Sequence, residues 1–244
     1  MRNKRLLSAV VLIVLWAVVS SLINKDILLP TPLAVVKELW TIVTQAGFLP
    51  ALLNTVFRAF TAVFISFVAA LLLAASAYRF KGLRTFLEPV YVLFKSVPTV
   101  TVIVLALIWL GKEKAAVLIV MLVVLPIHYS NLLNGFDQID PDLLKETDTY
   151  EDRYLLKLRR IYLPLIRSDL YETLRSTLSL GFKIVIMAEM FAQTRVGIGH
   201  ELYFLRANLD TTGVFAWTIL IVLCSYLFDA ILNFFSRRGD INES

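Results

Sequence analysis

The chain has 244 residues, 58% of them apolar and only 18% charged, with a formal net charge of +5 and a mean hydropathy of +0.75. That composition excludes an ordinary soluble domain, and no polar segment is long enough to bury a catalytic core of its own. The bilayer is the expected solvent, and an all-α polytopic membrane protein is the expected fold class, because helices satisfy their own backbone hydrogen bonds in lipid.

Six apolar stretches are predicted as transmembrane helices: Leu6–Ile23, Leu52–Tyr78, Val90–Leu110, Ala115–Leu133, Leu170–Ala192 and Val214–Phe235. Each is roughly 18 residues or longer, enough at about 1.5 Å per residue to cross a hydrocarbon core. The first, within residues 1–28, follows the basic Met1–Arg5 and resembles a signal peptide. Its apolar run is long and no clear cleavage site follows, so it reads as a retained span. Residues 29–238 form the main transmembrane domain and 239–244 a polar tail.

Between the first two spans, Pro30-Thr31-Pro32 opens a short amphipathic helix with Leu33, Val36, Leu39, Trp40 and Val43 at helical spacing. The turn Gly111–Lys114 is so short that the third and fourth spans must be antiparallel neighbours. Gly135–Leu163 is the longest polar connector. Asp140-Pro141 there supplies an N-cap and first helical residue, Thr149 and Asp152 a second capping pair, and Pro164 a stop, giving a helix, a kink and a helix. Leu143, Leu144, Tyr150, Tyr154 and Leu155 are too apolar for a face meant only for water, and predict docking of a partner protein. The single Cys224 lies inside the last apolar stretch and forms no intrachain disulfide.

Basic residues set the orientation. Arg2, Lys4, Arg5, Arg79, Lys81, Arg84, Lys145, Arg153, Lys157, Arg159, Arg160, Arg167, Arg237 and Arg238 fall on one side, against Lys25, Lys37, Lys112, Lys114, Arg195 and Arg206 on the other. The positive-inside rule then places both termini in the cytoplasm. The charge is spread over separate short loops, which argues against nucleic-acid binding.

Charged groups inside the spans need partners or water, since each costs about 2.5 to 3.5 kcal/mol at the bilayer centre. Arg58 and Glu189, each about two turns from the outer boundary, predict an interhelical ion pair with a structural or a gating role. Arg175 is expected to pair with Glu172 on its own helix. Lys183 stands near the midplane with no acid one turn away; Asp229 is a possible partner, and water in a pore or an anionic cargo is the other. With Lys95 and the kink expected at Pro98, these make Arg58, Lys95, Pro98, Lys183 and Glu189 the candidate translocation or gating residues. Pro126 predicts a second kink. His128 and His200 lack ligand-type neighbours, so no metal site is expected, and no catalytic constellation is visible.

At the long connector the chain resembles the permease subunits of binding-protein-dependent ABC importers. Their loop runs E-A-A, three residues, G, nine residues, I-x-L-P, and Ile161-x-Leu163-Pro164 matches its end. At the front, Lys145 stands at the first position, Glu146 one residue late and Glu151 at the glycine. Leu29-Pro30-Thr31-Pro32, Asn54-Thr55 with Arg58, Lys95-Ser96-Val97-Pro98, Ala188-Glu189-Met190 and Val196-Gly197-Ile198-Gly199 resemble the nitrate, sulfonate and taurine type of that family, over Leu29 to Phe235.

The resemblance implies an inner-membrane subunit of an ATP-driven importer, not itself an enzyme, whose pore carries a small anion. It implies a second permease subunit in a homodimer, an external binding protein, surrounding lipid, and an ATPase docked on Leu143, Leu144, Glu146, Tyr150, Glu151, Tyr154 and Pro164. The chain contains no G-x-x-x-x-G-K-[ST], so ATP and Mg belong to that partner and no cofactor to this chain. A secondary transporter and a membrane scaffold without an ATPase are the competing classes.

Overall fold

The computed structural model describes residues 2–140, 142–143 and 154–241. Helices follow one another in the order α1 (Arg2–Ile23), α2 (Pro32–Thr44), α3 (Phe48–Arg79), α4 (Lys81–Ser96), α5 (Thr99–Asp137), α6 (Tyr154–Lys157), a π-helical turn (Leu158–Tyr162), α7 (Leu163–Leu165), α8 (Arg167–Ala192), α9 (Ile198–Ala207) and α10 (Thr211–Ile241). Among the described residues, three helices are long and apolar enough to cross a membrane, Phe48–Arg79, Thr99–Asp137 and Thr211–Ile231, with a shorter apolar helix at Val10–Ile23.

The core lies where α3, α5 and α8 pack together. α3 buries Ala51, Thr55, Ala59, Ala62, Ser66, Ala70, Ala74 and Ala77, a seam of small side chains at steps of three and four residues. Such a seam lets helix backbones approach closely, which replaces the hydrophobic drive that lipid does not supply. At Gly181 of α8 the approach leaves no room for a side chain, for an added Cβ would run into the Val63 side chain.

Gly111 divides α5. Its φ of 70° and ψ of 177° are non-helical, a conformation glycine reaches without steric cost. Arg84 on α4 pairs with Asp137 near the end of α5, and Tyr91 packs on Tyr129 at 5.9 Å. The two helical arms of this hairpin are therefore antiparallel, as the short turn predicts. The third apolar stretch differs from expectation: it is interrupted and not merely kinked. α4 stops at Ser96, Val97 is extended, and Pro98 caps α5. Proline has no N–H and pushes the residue before it out of the helical region, so the helix restarts at Thr99. Pro126, by contrast, sits inside a continuous helical run.

The amphipathic helix is present as α2. Thr31 caps it, its Oγ1 accepting from the Ala34 N–H at 3.2 Å, with proline at the first turn. Val35 and Ile42 are buried against the bundle, whereas Leu33, Val36, Trp40 and Val43 are exposed on the other side. α1 is held mainly through Trp16, which donates to the Pro30 carbonyl at 3.0 Å and stacks on Phe215 of α10 at 5.7 Å.

Candidate functional site

Helix directions gather the connectors at two ends. At one end stand the loops around residues 24–47, 111–114 and 193–210, tied by Thr211 Oγ1 to the Ile27 carbonyl at 2.6 Å and by Lys112 Nζ to Gln193 Oε1 at 3.5 Å.

Here the charges of α3, α5 and α8 meet. Glu189 is fully buried, and its carboxylate accepts from Arg58 Nη1 at 2.6 Å, Thr55 Oγ1 at 2.8 Å and the Gly199 N–H at 3.0 Å. Thr55 Oγ1 in turn accepts from the Ile198 N–H at 2.8 Å. The carboxylate and the hydroxyl thus cap the first turn of α9, where free N–H groups attract negative charge. Arg58 also donates to the Val196 carbonyl at 2.6 Å and pairs with Glu113. Glu113 Oε1 closes the ring by accepting from the Arg195 N–H at 2.7 Å. Gly197, with φ of 154°, passes directly over the Glu189 carboxyl, where a Cβ would collide with it. One clamp therefore joins α3, the Gly111 turn, the end of α8 and the start of α9.

The expected Arg58–Glu189 pair is present, and it is larger than expected. Glu113 was not foreseen. It stands between Lys112 and Lys114 in a polar turn, a context that reads as solvated, and the only signal for it was the surplus of donors on Arg58.

A second polar group occupies the middle of the core. His128 is fully buried; its Nδ1 lies 3.1 Å from Ser66 Oγ and its Nε2 2.7 Å from Thr177 Oγ1. Phe67 covers the ring edge-on at 5.5 Å. This ladder bridges α3, α5 and α8, and both ring nitrogens are occupied by hydroxyls.

α8 carries the third group. Glu172, Ser176, Leu180 and Lys183 are exposed along one side of the helix, a mostly polar stripe at helical spacing. Among the described residues, neither Lys183 nor Asp229 enters an ion pair, and Glu172 does not pair with Arg175. The expected Arg175–Glu172 pairing is therefore absent, and Asp229, one of the options for Lys183, does not pair with it. Lys95 is exposed, its Nζ 4.8 Å from the Tyr91 ring centre, and Pro98 marks the break between α4 and α5 without touching the clamp.

At the opposite end, Arg84 makes a two-pronged contact with Asp137 at 2.9 and 2.7 Å. Leu143 is exposed, and Leu144, Glu146, Tyr150 and Glu151 lie outside the described residues. Tyr154 is turned in part toward the bundle. It is half-buried and its hydroxyl donates to the Ala75 carbonyl of α3 at 2.6 Å. Pro164 is exposed in the single turn α7, and the non-helical Ile166 (φ −96°, ψ 18°) separates that turn from α8.

Residues 63–240 match the family described as binding-protein-dependent transport system inner membrane component. The chain belongs to that family. This permease is 26% identical over 236 residues to the taurine transport system permease protein TauC of Escherichia coli K12, covering 94% of this chain and 86% of that protein. It is 23% identical over 237 residues to a putative aliphatic sulfonates transport permease protein, SsuC, of Bacillus subtilis 168, covering 96% and 86%. Among solved structures, it matches a chain of a bacterial ABC transporter involved in import of the acidic polysaccharide alginate with a TM-score of 0.72 at 16% identity, covering 97% and 96%. The MetNI methionine ABC transporter in inward-facing form gives 0.66 at 17%, covering 76% and 92%.

Proposed function

We propose that this permease crosses the inner membrane six times, with both termini cytoplasmic, and forms with a second permease subunit the path of an ATP-driven importer for a small organic anion of the sulfonate class. The spans are α1, α3, the interrupted pair of α4 with residues 99–110, then 112–137, α8 and α10. Alternating helix directions support this count, and the charge asymmetry of the two ends supports the orientation. ATP hydrolysis falls to a separate subunit at the loop-rich basic end, and a binding protein delivers cargo at the clamp end.

The observation that carries the proposal is the exposed stripe on α8. A helix long enough to span yet lined with Glu172, Ser176 and Lys183 cannot leave that side in lipid, where each charge is costly. Water in a pathway is the physical alternative. Lys183 then supplies a positive charge deep in that path without an acidic partner among the described residues, which suits an anion. The relatives named for taurine and aliphatic sulfonates point to the same chemistry.

The test is uptake of taurine by cells that depend on this system. Lys183→Gln should abolish uptake while the protein still inserts and still holds its ATPase. Full uptake by that variant would remove Lys183 from the path.

A further inference from the structure

Tyr154 opens α6 in the loop before α8, and it is anchored on three sides. Its hydroxyl reaches the Ala75 carbonyl near the end of α3 at 2.6 Å. The Arg79 guanidinium lies 5.9 Å from its ring centre, within cation–π range. Its ring is 6.2 Å from that of Tyr162. Tyr162 is buried and meets Tyr78 of α3 at 5.8 Å and Phe136 of α5 at 6.5 Å, while Tyr78 stacks on Phe136 at 5.4 Å. Burial raises the Tyr154 and Tyr162 phenols above the ordinary tyrosine range, so the hydroxyl of Tyr154 stays a donor.

The covalent route from the same loop to α8 is less rigid. It passes through the π-helical turn Leu158–Tyr162 and then the non-helical Ile166, two interruptions in the helical backbone where a displacement can be absorbed. α3 has no such interruption over its 32 residues, about 48 Å at 1.5 Å per residue. Its far end carries Thr55 and Arg58 of the clamp.

We infer that Tyr154 is a positioning residue, a joint that ties the loop segment of residues 154–165 to α3, so that a push on that segment is delivered to the clamp end through α3. The inference rests on the proposal that this loop meets an ATPase. It assigns Tyr154 a place behind the docking surface and not on it, since its polar atom is spent inside the bundle.

The experiment uses the permease with its co-assembled ATPase in lipid nanodiscs. Cys224→Ser removes the single cysteine and Asn54→Cys reports on the exposed face of α3 at the clamp end. Labelling of position 54 by a maleimide is timed with and without MgATP plus vanadate. With Tyr154 intact, nucleotide trapping should change the labelling rate. Tyr154→Phe, which deletes only the hydroxyl, should keep the ATPase bound and shrink that change by roughly three- to tenfold, the weight of one hydrogen bond.

Arg79→Gln, which removes the cation above the ring and leaves the hydroxyl, should move the signal the same way and serves if Tyr154→Phe fails to assemble. Tyr226→Phe, on the exposed side of α10, should leave it unchanged. A full response in assembled Tyr154→Phe overturns the joint. So does loss of the ATPase from that variant, which would make Tyr154 a docking residue, or an intact chain whose position 54 ignores nucleotide. A wild-type permease that binds no ATPase overturns the importer proposal and the joint with it.

Discussion

Glu189 bears the largest electrostatic load of any single residue described. A fully buried carboxylate is tolerated only when its charge is met, and here a guanidinium, a hydroxyl and a backbone amide meet it. Replacing it with alanine leaves Arg58 with Glu113 and the Val196 carbonyl, and strips the Gly199 N–H of α9 of its acceptor. We predict a loss of about 3 to 5 kcal/mol, the cost of breaking a buried pair, read as a fall in melting temperature in detergent. Arg58→Met combined with Glu189→Leu should lose less than either single change, because Glu113 is 43% exposed and can turn to water. A double mutant as unstable as the sum of the singles would show that the two residues act independently. At His128 the expected loss is smaller. Thr177 keeps the Thr173 carbonyl at 2.6 Å and Ser66 the Met121 carbonyl at 3.3 Å, so neither hydroxyl is stranded in His128→Leu. The variant should lose about 1 to 2 kcal/mol, two modest hydrogen bonds, in the same melting assay.

Packing between elements depends on the small-residue seam. Because a Cβ at Gly181 collides with Val63, Gly181→Ala should destabilise the bundle by about 1 to 3 kcal/mol through overpacking. Val63→Ala in the same chain should recover much of that loss, and failure to recover would place the strain elsewhere. How far such contacts were legible beforehand varies with their physics. The Arg58–Glu189 pair was legible because charge in a span demands a partner, and both residues stood at one depth. The Gly111 hairpin was legible because four residues cannot bridge parallel helices. The break at Pro98 was not, since the apolar run on either side is continuous and proline in such a run is compatible with a kink. The hydroxyl contact of Tyr154 was not legible, because a tyrosine in a polar loop looks like a contact for a partner, and only the fold reveals the Ala75 carbonyl beneath it. Lys183 and Asp229 both needed counter-charges, but whether two helices bring such groups within ion-pair distance is set by tertiary packing, and here they form no ion pair.

For the whole molecule, the clamp and the aromatic cluster lie at opposite ends of α3, with the His128 ladder between them. That arrangement suits a machine in which one end receives a push and the other opens. In a Cys224→Ser background, a cysteine at Lys112 should react with an impermeant thiol reagent in intact cells, and one at Lys81 should be shielded; the reverse pattern would invert the membrane orientation. The central claim, that this permease provides the path of an ATP-driven importer, is tested most directly by reconstituting it with its ATPase and binding protein and measuring taurine accumulation in liposomes. Accumulation should require MgATP on the ATPase side and stop with vanadate. Taurine uptake driven by an ion gradient through the permease alone, with no ATPase bound, would contradict the account.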